Sequence, residues 1–542
     1  MHVSLHVSLH VALHVALHVA LHVAPHVPGA QPAAIARLDV TPAAAPLQAH
    51  GVPPWREALL LVLWLLATAW VRPLLLPDEG RYAGVAFEML HGSALLPTLD
   101  GLPFFHKPPL LYWADIAAMQ LFGVDAFAVR VGPALMAWAM GLALFLHLRR
   151  GHGVGTARIG LLVLATSPLY FVGAQYVNHD IGVAACISLA VLAAVRALEV
   201  PASPTSPADR WQPWMLLAWL FCGLGVLAKG LIGIVLPALI VLPWLAAQQR
   251  WRDLLRLLHP PGILLAALVV LPWMWAMQSR YPGFFDYFIV EQHFRRYAGA
   301  SFNNQQPFWF FAVVLPILML PWTLWLWPAL RQRGRQASLY LWWLAVVVGF
   351  FSLPSSKLVG YVMPALVPLA ALLALAMNSP GRPWRQVASG AAVWCLLLIG
   401  LLAWKSPGSH RDVGLALAQR LQPGERVVFV DQYFYDVPFY ARLQQPAVVV
   451  SQWDDPDIAQ HDNWRKELLD AARFDRAAAA RTLWPWAHIA GLACGAKATW
   501  WMVTADTLPR LQQAVPGAAV VQVGRHALLL RSPARGCPSA AP

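Results

Sequence analysis

Long apolar stretches alternate with short polar ones from about residue 57 to residue 404. An apolar stretch of roughly 17 to 25 residues can cross a lipid bilayer as an α-helix. Eleven stretches meet this requirement and are predicted as transmembrane helices: 57–76, 126–148, 157–176, 181–198, 213–229, 231–247, 260–278, 308–328, 338–354, 361–378 and 384–404. The pattern therefore predicts a polytopic α-helical membrane protein with about 11 to 13 transmembrane helices.

The arginines between the apolar windows fall mostly in alternate loops: Arg149, Arg150, Arg158, Arg196, Arg210, Arg250, Arg252, Arg256, Arg331, Arg333, Arg335, Arg382 and Arg385. Loops rich in Lys and Arg stay in the cytoplasm, so these loops are predicted to be cytoplasmic. The loops 77–125, 177–180, 279–307 and 355–360 are then predicted to lie outside, together with the tail that begins at residue 405.

Five basic residues lie in the loops predicted to be outside, where membrane orientation does not select them: Arg81, Lys107, Arg295, Arg296 and Lys357. For any one of them, contact between a long side chain and lipid headgroups is an alternative explanation. As a set, gathered beside carboxylates in three loops, they predict an anionic partner on the outer side of the membrane.

Composition supports the membrane assignment. Hydrophobic residues make up 58% of the chain, charged residues only 12%, and the mean hydropathy is +0.54, outside the range of soluble domains. The net charge of +13 could suggest nucleic-acid binding, but the basic residues are spread over many short segments instead of forming one patch. No nucleic-acid partner is therefore predicted, whereas membrane lipids are.

The two ends of the chain differ from the apolar region. Residues 1–50 begin with a tandem repeat of the Leu-His-Val-Ala type. This low complexity predicts a disordered N-terminus without a catalytic part. The segment lacks the basic region and the cleavage site of a signal peptide. Residues 405–542 alternate strand-like pieces such as ERVVFVDQYF with helical pieces such as RDVGLALAQRLQ. This alternation predicts a soluble C-terminal α/β domain. The distribution of basic loops puts this domain on the outer, periplasmic side of the membrane.

The five cysteines divide by their surroundings. Cys186, Cys222 and Cys395 lie in apolar windows and are predicted to be packing residues. Cys494 and Cys537 lie in the tail, where an oxidising compartment would allow a disulfide. Whether these two cysteines pair stays open.

Two adjacent acids and an arginine follow the first apolar window in the stretch PDEGRYAG, residues 77–84. An acid at a helix N-terminus gains about 0.3–1 kcal/mol from the helix dipole, so capping is one explanation for Asp78. Capping does not explain a second acid, Glu79, with Arg81 and Lys107 in an otherwise uncharged segment.

These motifs resemble those of a known enzyme family. DEGRYA, followed by HKPPLLYWA, is similar to the first extracytoplasmic loop of the GT-C glycosyltransferases, specifically the 4-amino-4-deoxy-L-arabinose lipid A transferases and the related protein mannosyltransferases. YVNHD at 176–180, YFIVEQHFRRY at 287–297, PFWFF at 307–311 and SSKLVGYVMPALVPLA at 355–370 follow in the family's order. The resemblance covers roughly residues 55 to 405 and implies a GT-C transmembrane domain over 51–404.

The resemblance implies a sugar donor carried on undecaprenyl phosphate and an acceptor on the periplasmic side of the bacterial inner membrane, with lipid A as the foremost acceptor. Asp78 is expected to act as catalytic base or to orient substrate, and Asp180 is the second catalytic candidate. For Asp180 a helix cap is the alternative. The residues expected to bind substrate are Glu79, Arg81, Tyr82, Lys107, Arg296, Lys357 and Tyr361. Glu79 has a second interpretation, as the partner of a neighbouring cation.

Relatives of the aminoarabinose type imply a structural zinc, although the chemistry itself requires no cofactor. The corresponding ligands in this chain are His106 and His293, with Glu291 and His179 as further candidates. Imidazole suits zinc at least as well as carboxylate does. An ordinary interfacial histidine is the alternative for each.

Three functions remain compatible with the sequence. One is the glycosyltransferase, which transfers aminoarabinose to lipid A or, as an alternative, another sugar to a protein or a different envelope glycan. The second is a lipid transporter or flippase, since many spans and buried charge are typical of transporters; Lys229, between two spans, is the charge that best fits this alternative. The third is a scaffold protein that carries an extracytoplasmic α/β module.

Overall fold

The protein folds as a helical membrane region followed by a sheet domain. The computed structural model describes residues 53–200, 210–295, 304–378, 384–405, 408–459, 462–494 and 496–534, without the side chains of 293–295 and 459. Residues 1–50, Arg296 and Cys537 lie outside these ranges, and the expectations for them stay predictions. In the membrane region the helices are Trp55–Leu66, Asp78–His91, Leu110–Phe122, Ala128–Ala165, Pro168–Ala174, His179–Glu199, Gln212–Lys229, Ile232–Ala247, Trp251–Leu257, Pro260–Arg280, Asp286–Arg295 (a π-helix), Phe310–Leu318, Trp322–Trp325, Leu326–Leu330, Arg335–Ser352, Val359–Ala365, Leu366–Met377 and Trp384–Lys405.

Six helical segments in the described ranges are long and apolar enough to cross a membrane: Ala128–Ala165, His179–Glu199, Gln212–Lys229, Trp251–Arg280, Val359–Met377 and Trp384–Lys405. A seventh span results if the bent pair Phe310–Leu318 and Trp322–Leu330, which meet at 111°, counts as one. Leucines such as Leu264, Leu268 and Leu271 are exposed on these helices, as expected of side chains that face lipid. The chain is a multi-pass membrane protein.

All eleven apolar windows overlap helices, but four of them differ from single straight spans, and the helices of two others, Ile232–Ala247 and Arg335–Ser352, are not among the six spans above. The window 57–76 is helical only over Trp55–Leu66, and turns and irregular backbone lead from there to the buried Arg72 and to Pro73. The window 126–148 and the first part of 157–176 lie in one long helix, Ala128–Ala165, which breaks at Gly153, where φ is 83°. The rest of the second window lies mostly in the short helix Pro168–Ala174. The remaining difference is the bend within 308–328.

The tail contains a six-stranded sheet. Its strands run in the spatial order Leu483–Pro485, Val448–Ser451, Arg426–Val430, Thr499–Val503, Leu528–Ser532 and Ala519–Val523. The first four are parallel, and the last two continue the sheet antiparallel. A further two-stranded pair, Thr98–Leu99 with Leu102–Pro103, lies in the first loop.

Helices surround this sheet, so the predicted α/β character of the tail is confirmed. They are Arg411–Ala418, Val437–Tyr440, Pro456–Ala459, Trp464–Ala472, Arg476–Thr482, Trp486–His488, Ile489–Leu492 and Leu508–Ala514. The strand Leu483–Pro485 was not expected, because three residues are too few to give a periodic signal. Cys186, Cys222 and Cys395 are buried, as packing residues are.

Both faces of the sheet are covered. Along the strand Arg426–Val430, Val427 and Phe429 pack on one side, while Val428 and Val430 pack on the other. The first side shares its apolar core with the first loop, through residues such as Phe87. Such burial on both faces explains the uninterrupted apolar sequence of the parallel strands. The sheet domain is therefore packed directly on the loop that carries the DE motif.

Glu79 lies at the centre of a buried ionic cluster that fixes the start of this loop. Arg72 and Arg130 both bond its carboxylate, with Arg130 Nε at 3.1 Å, and all three side chains are almost inaccessible to solvent. Glu79 also accepts hydrogen bonds from the backbone of Leu75 at 2.8 Å and of Val177 at 3.1 Å. Burial alone would raise the pKa of Glu79, but the two guanidiniums lower it to about 2.

We expect Glu79→Gln to lower the free energy of unfolding by about 3–5 kcal/mol, because it leaves two buried guanidiniums without their counter-ion. Thermal unfolding of the detergent-solubilised protein measures the effect. Glu57→Gln is the control, since Glu57 pairs with the half-exposed Arg158 at 2.7 Å and such pairs contribute about 1 kcal/mol or less. Equal losses in the two variants would contradict the role assigned to the cluster.

Candidate functional site

Asp78 stands in the first turn of the helix Asp78–His91 and keeps part of its carboxylate open to solvent. Its Oδ2 accepts a hydrogen bond from Asn178 Nδ2 at 3.0 Å, and its Oδ1 lies 3.7 Å from Arg81. The side chain is 26% exposed, whereas its neighbour Glu79 is fully buried. Consecutive residues on a helix point about 100° apart, so the DE pair separates into one outward and one inward acid.

The placement of Glu79 does not favour the predicted substrate contact. Both of its carboxylate oxygens already accept bonds from arginines, and no part of the side chain reaches solvent. The second interpretation of Glu79, an ion pair with a neighbouring cation, matches the structure. Glu79 therefore has a structural role: it holds in place the helix start that carries Asp78.

Arg81 connects the first loop with the sheet domain. Its guanidinium pairs with Glu467 at 3.1 Å and lies over the ring of Tyr435 at 5.0 Å. The Tyr435 hydroxyl in turn donates to Glu467 at 2.6 Å. Burial raises the pKa of Glu467, and the nearby Arg81 opposes this rise. The predicted phosphate-binding arginine thus has a carboxylate partner from the C-terminal domain.

Asp180 is held close to Asp78 by the residue between their two elements. Asn178 caps the helix His179–Glu199, because its side-chain oxygen accepts from Asp180 N at 3.1 Å. The same side chain donates to Asp78. Since Asn178 is the cap, the carboxylate of Asp180 is available for another contact, which Lys229 provides.

Lys229 and Tyr361 complete this second acidic centre. The Lys229 ammonium bonds Asp180 and lies 4.3 Å from the centre of the Tyr361 ring. On its other side the Asp180 carboxylate packs against Gly360, so closely that an added Cβ would collide with Oδ2. The structure therefore brings the two site candidates Asp180 and Tyr361 together and adds Lys229, which the sequence indicated only as an unusual charge between two spans.

Tyr82 and Lys107 lie near the same helix start. The Tyr82 ring meets the ring of His179 edge-on, with centroids 4.6 Å apart, and Lys107 is near enough to His179 to interact electrostatically with it. Tyr82 is only 5% exposed, so it packs behind the solvent-exposed residues of the site.

Lys357 is buried and bonds backbone carbonyl groups. Its ammonium donates to the carbonyl of Gln306, at 2.9 Å, and to that of Pro354, and the residue is 3% exposed. These bonds join the segment before Phe310 to the segment after Ser352. The placement favours a supporting role for Lys357 over the predicted contact with phosphate.

The described side chains do not assemble the predicted zinc site. His106 stacks on Phe104 at 4.5 Å, and Glu291 is close to two cations, Lys466 at 3.9 Å and Arg473 at 3.6 Å. No group of three or more His, Cys, Asp or Glu with metal-site geometry occurs in the described part of the chain. The side chain of His293 lies outside that part, so the zinc stays a prediction.

Sequence reasoning missed three contributors: Asn178, Glu467 and Tyr435. Asn178 stands inside the YVNHD motif, where an Asn just before a helix is a recognisable cap signal, but its second bond depends on the fold. Glu467 and Tyr435 come from the tail, and no local pattern in the tail indicates contact with the first loop.

Comparison with known proteins relates the chain to glycosyltransferases. Residues 106–275 match the family model described as dolichyl-phosphate-mannose-protein mannosyltransferase. The chain is 34% identical over 361 residues to undecaprenyl phosphate-alpha-4-amino-4-deoxy-L-arabinose arabinosyl transferase 2 of Pseudomonas fluorescens, with 64% of each chain covered. It is 33% identical over 325 residues to the corresponding transferase of Erwinia tasmaniensis, with 58% of each covered. The matches thus span less than two thirds of these relatives.

The fold has a close counterpart among solved structures. ArnT from Cupriavidus metallidurans, crystallised bound to undecaprenyl phosphate, superposes with a TM-score of 0.76 over 90% of this chain and 99% of that one, at 22% sequence identity. The apo form of the same protein gives 0.73. At this identity the likeness establishes the fold. The sequence comparisons and the fold together confirm the resemblance to the GT-C glycosyltransferases that the sequence motifs indicated.

Proposed function

We propose that the protein is a membrane glycosyltransferase that moves a sugar of the 4-amino-4-deoxy-L-arabinose type from an undecaprenyl-phosphate-linked donor to an envelope acceptor, with lipid A as that acceptor. The names of its relatives support the donor and the sugar. The proposed location is the bacterial inner membrane, with the site and the sheet domain on the periplasmic side, in line with the distribution of basic residues in the loops.

The arrangement of Asp78 beside Arg81 is the observation that carries this proposal. A partly exposed carboxylate lies 3.7 Å from a guanidinium, and both project from the helix that follows the first apolar segment. A prenyl-phosphate sugar presents an anionic phosphate at the membrane surface and an apolar tail in the bilayer. Arg81 therefore offers a cation for the donor's phosphate, and Asp78 offers an acid for the acceptor, both at the proposed membrane surface.

The reaction follows from these positions. An acceptor oxygen attacks the anomeric carbon of the sugar, and the bond from that carbon to the donor's phosphate oxygen breaks. The electron pair leaves with the prenyl phosphate, whose growing negative charge Arg81 stabilises. Asp78 takes the proton of an acceptor hydroxyl, or orients the acceptor when the attacking group is an already ionised phosphate. Asn178 holds Asp78 in place during the attack.

Asp180 and Lys229 form the second part of the proposed site. Their ion pair, with Tyr361 against the ammonium, fixes both charges. Asp180 lies at the start of the helix His179–Glu199, and Lys229 lies at the end of Gln212–Lys229. We assign Asp180 to the orientation of substrate through this pair. A transporter remains an outcome of the test below, which separates transfer from translocation.

We expect Asp78→Asn to reduce sugar transfer by about 100- to 10,000-fold while the protein still inserts into the membrane, because loss of a general base costs this much and loss of acceptor orientation costs about 100-fold. The assay uses purified protein, labelled undecaprenyl-phosphate sugar and lipid A. Asp286→Asn is the matched control, because Asp286 is exposed on the neighbouring loop and undergoes the same change of charge. Full activity in Asp78→Asn would refute the assigned role, and translocation without transfer would favour a flippase.

We expect Gly360→Ala to reduce kcat by up to about 100-fold, because the added methyl group pushes the Asp180 carboxylate away from Lys229 and small displacements of reacting groups are costly. Gly349→Ala provides the control, since a Cβ at Gly349 meets no atom within 4 Å. Steady-state kinetics of both variants, with thermal unfolding to verify folding, measure the effect. If the two variants had the same kcat, Asp180 would have no part in catalysis.

A further inference from the structure

A polar cleft lies in the sheet domain and belongs to no part of the proposed reaction. Its volume is about 270 Å³, and it opens where the strands Arg426–Val430 and Val448–Ser451 end. Six residues line it: Asp431, Ser451, Gln452, Trp464, Arg465 and Arg510. Trp464 and Arg465 begin the helix that also carries Glu467.

The topology of the sheet puts this cleft at a position that commonly binds ligands. After the strand Arg426–Val430 the chain adds Val448–Ser451 and then Leu483–Pro485 on one side of it. The next strand, Thr499–Val503, pairs with the other side of Arg426–Val430. The direction of winding therefore reverses beside Arg426–Val430. In open α/β sheets, ligands bind at such a reversal, outside the carboxyl ends of the parallel strands.

Asp431 is the central residue of the cleft. It follows the strand Arg426–Val430 with a φ of 54°, in the left-handed region that few residues other than glycine adopt. Its carboxylate accepts from Trp486 Nε1 at 2.7 Å and from the Ser451 hydroxyl at 3.3 Å. A backbone conformation of this kind is maintained when the surroundings over-determine it, and such conformations concentrate at binding sites.

The charges of the cleft are already paired. Arg510 lies 3.4 Å from Asp431 and stacks 3.6 Å above the Trp486 ring, and Arg465 pairs with Asp455 at 3.0 Å. The result is a surface rich in hydrogen-bond donors and acceptors, without an excess of either charge, and with indole rings beside it. An anion would have to displace one of these carboxylates, whereas a neutral ligand would not.

We propose that this cleft binds a neutral saccharide unit. Hydroxyl groups of a sugar ring both donate and accept, which matches carboxylate, guanidinium, amide and hydroxyl groups in one place. The carbon-bound hydrogens of the ring pack on aromatic side chains such as Trp464. The site is distinct from the Asp78 centre and does not depend on the reaction proposed there.

Saturation-transfer NMR on the full-length protein in detergent tests the proposal, with N,N′-diacetylchitobiose and methyl glucoside as probes. We expect transfer to at least one of these saccharides in the wild type and in Asp78→Asn. Arg510→Ala should weaken binding about tenfold, because it removes a charged donor and uncovers Trp486. Arg481→Ala is the matched control: Arg481 is also exposed but does not line the cleft. Gln452→Ala, at another exposed position, gives a second lining variant.

Four results would overturn the proposal. The first is no saturation transfer to either saccharide in the wild type, and the second is equal binding by Arg510→Ala, Gln452→Ala and Arg481→Ala. The third is binding that disappears in Asp78→Asn yet persists in Arg510→Ala, which would assign the saccharide to the catalytic centre. The fourth is that inorganic phosphate, followed by phosphorus NMR, binds in an Arg510-dependent manner while the sugars do not, which would make the cleft an anion site.

Discussion

The bonding of one buried carboxylate by two arginines determines the geometry on which the site depends. Glu79 joins Arg72, before the first-loop helix, to Arg130, in the following long helix, and also binds the backbone of Val177. Three separate segments are thereby fixed around one acid. Asp78 precedes Glu79 directly, so its direction is set by the same bonds, and Val177 precedes Asn178, which bonds Asp78. The exposed Asp78 is oriented because the buried Glu79 is held by its bonds.

The sheet domain is part of the site and not merely attached to it. It supplies Glu467 and Tyr435 to Arg81, and it shares an apolar core with the first loop. The ion pair also keeps the Arg81 guanidinium in position. In the proposed reaction an incoming phosphate would replace the Glu467 carboxylate as its partner. The net cost of desolvating the guanidinium has then been met during folding.

Much of the architecture could be predicted from the sequence, because apolar length and period-two strand patterns depend on local sequence. The eleven windows all overlap helices, and five of the six strands of the tail lie in strand-like pieces of the sequence, Leu483–Pro485 being the exception. Resemblance identifies the acids Asp78 and Asp180, and the place of Arg81 in an outer loop identifies the cation. The structure brings the three residues together through Asn178 and the Asp78–Arg81 contact. What could not be predicted depends on pairing in space: Asn178 between two acids, Lys229 on Asp180, and Glu467 on Arg81. Lys357 illustrates the same limit, since its charge was evident while its carbonyl partners were not.

The packing of one sheet face on the first loop has a consequence for how such chains diversify. A truncated version ending after Lys405 would leave Phe87 and its apolar neighbours uncovered and would remove the counter-ion of Arg81 in the same step. The tail therefore cannot be exchanged as an independent module between homologous enzymes. Any replacement must reproduce both a matching hydrophobic footprint and a carboxylate at the position of Glu467, so that tail and loop are constrained to change together.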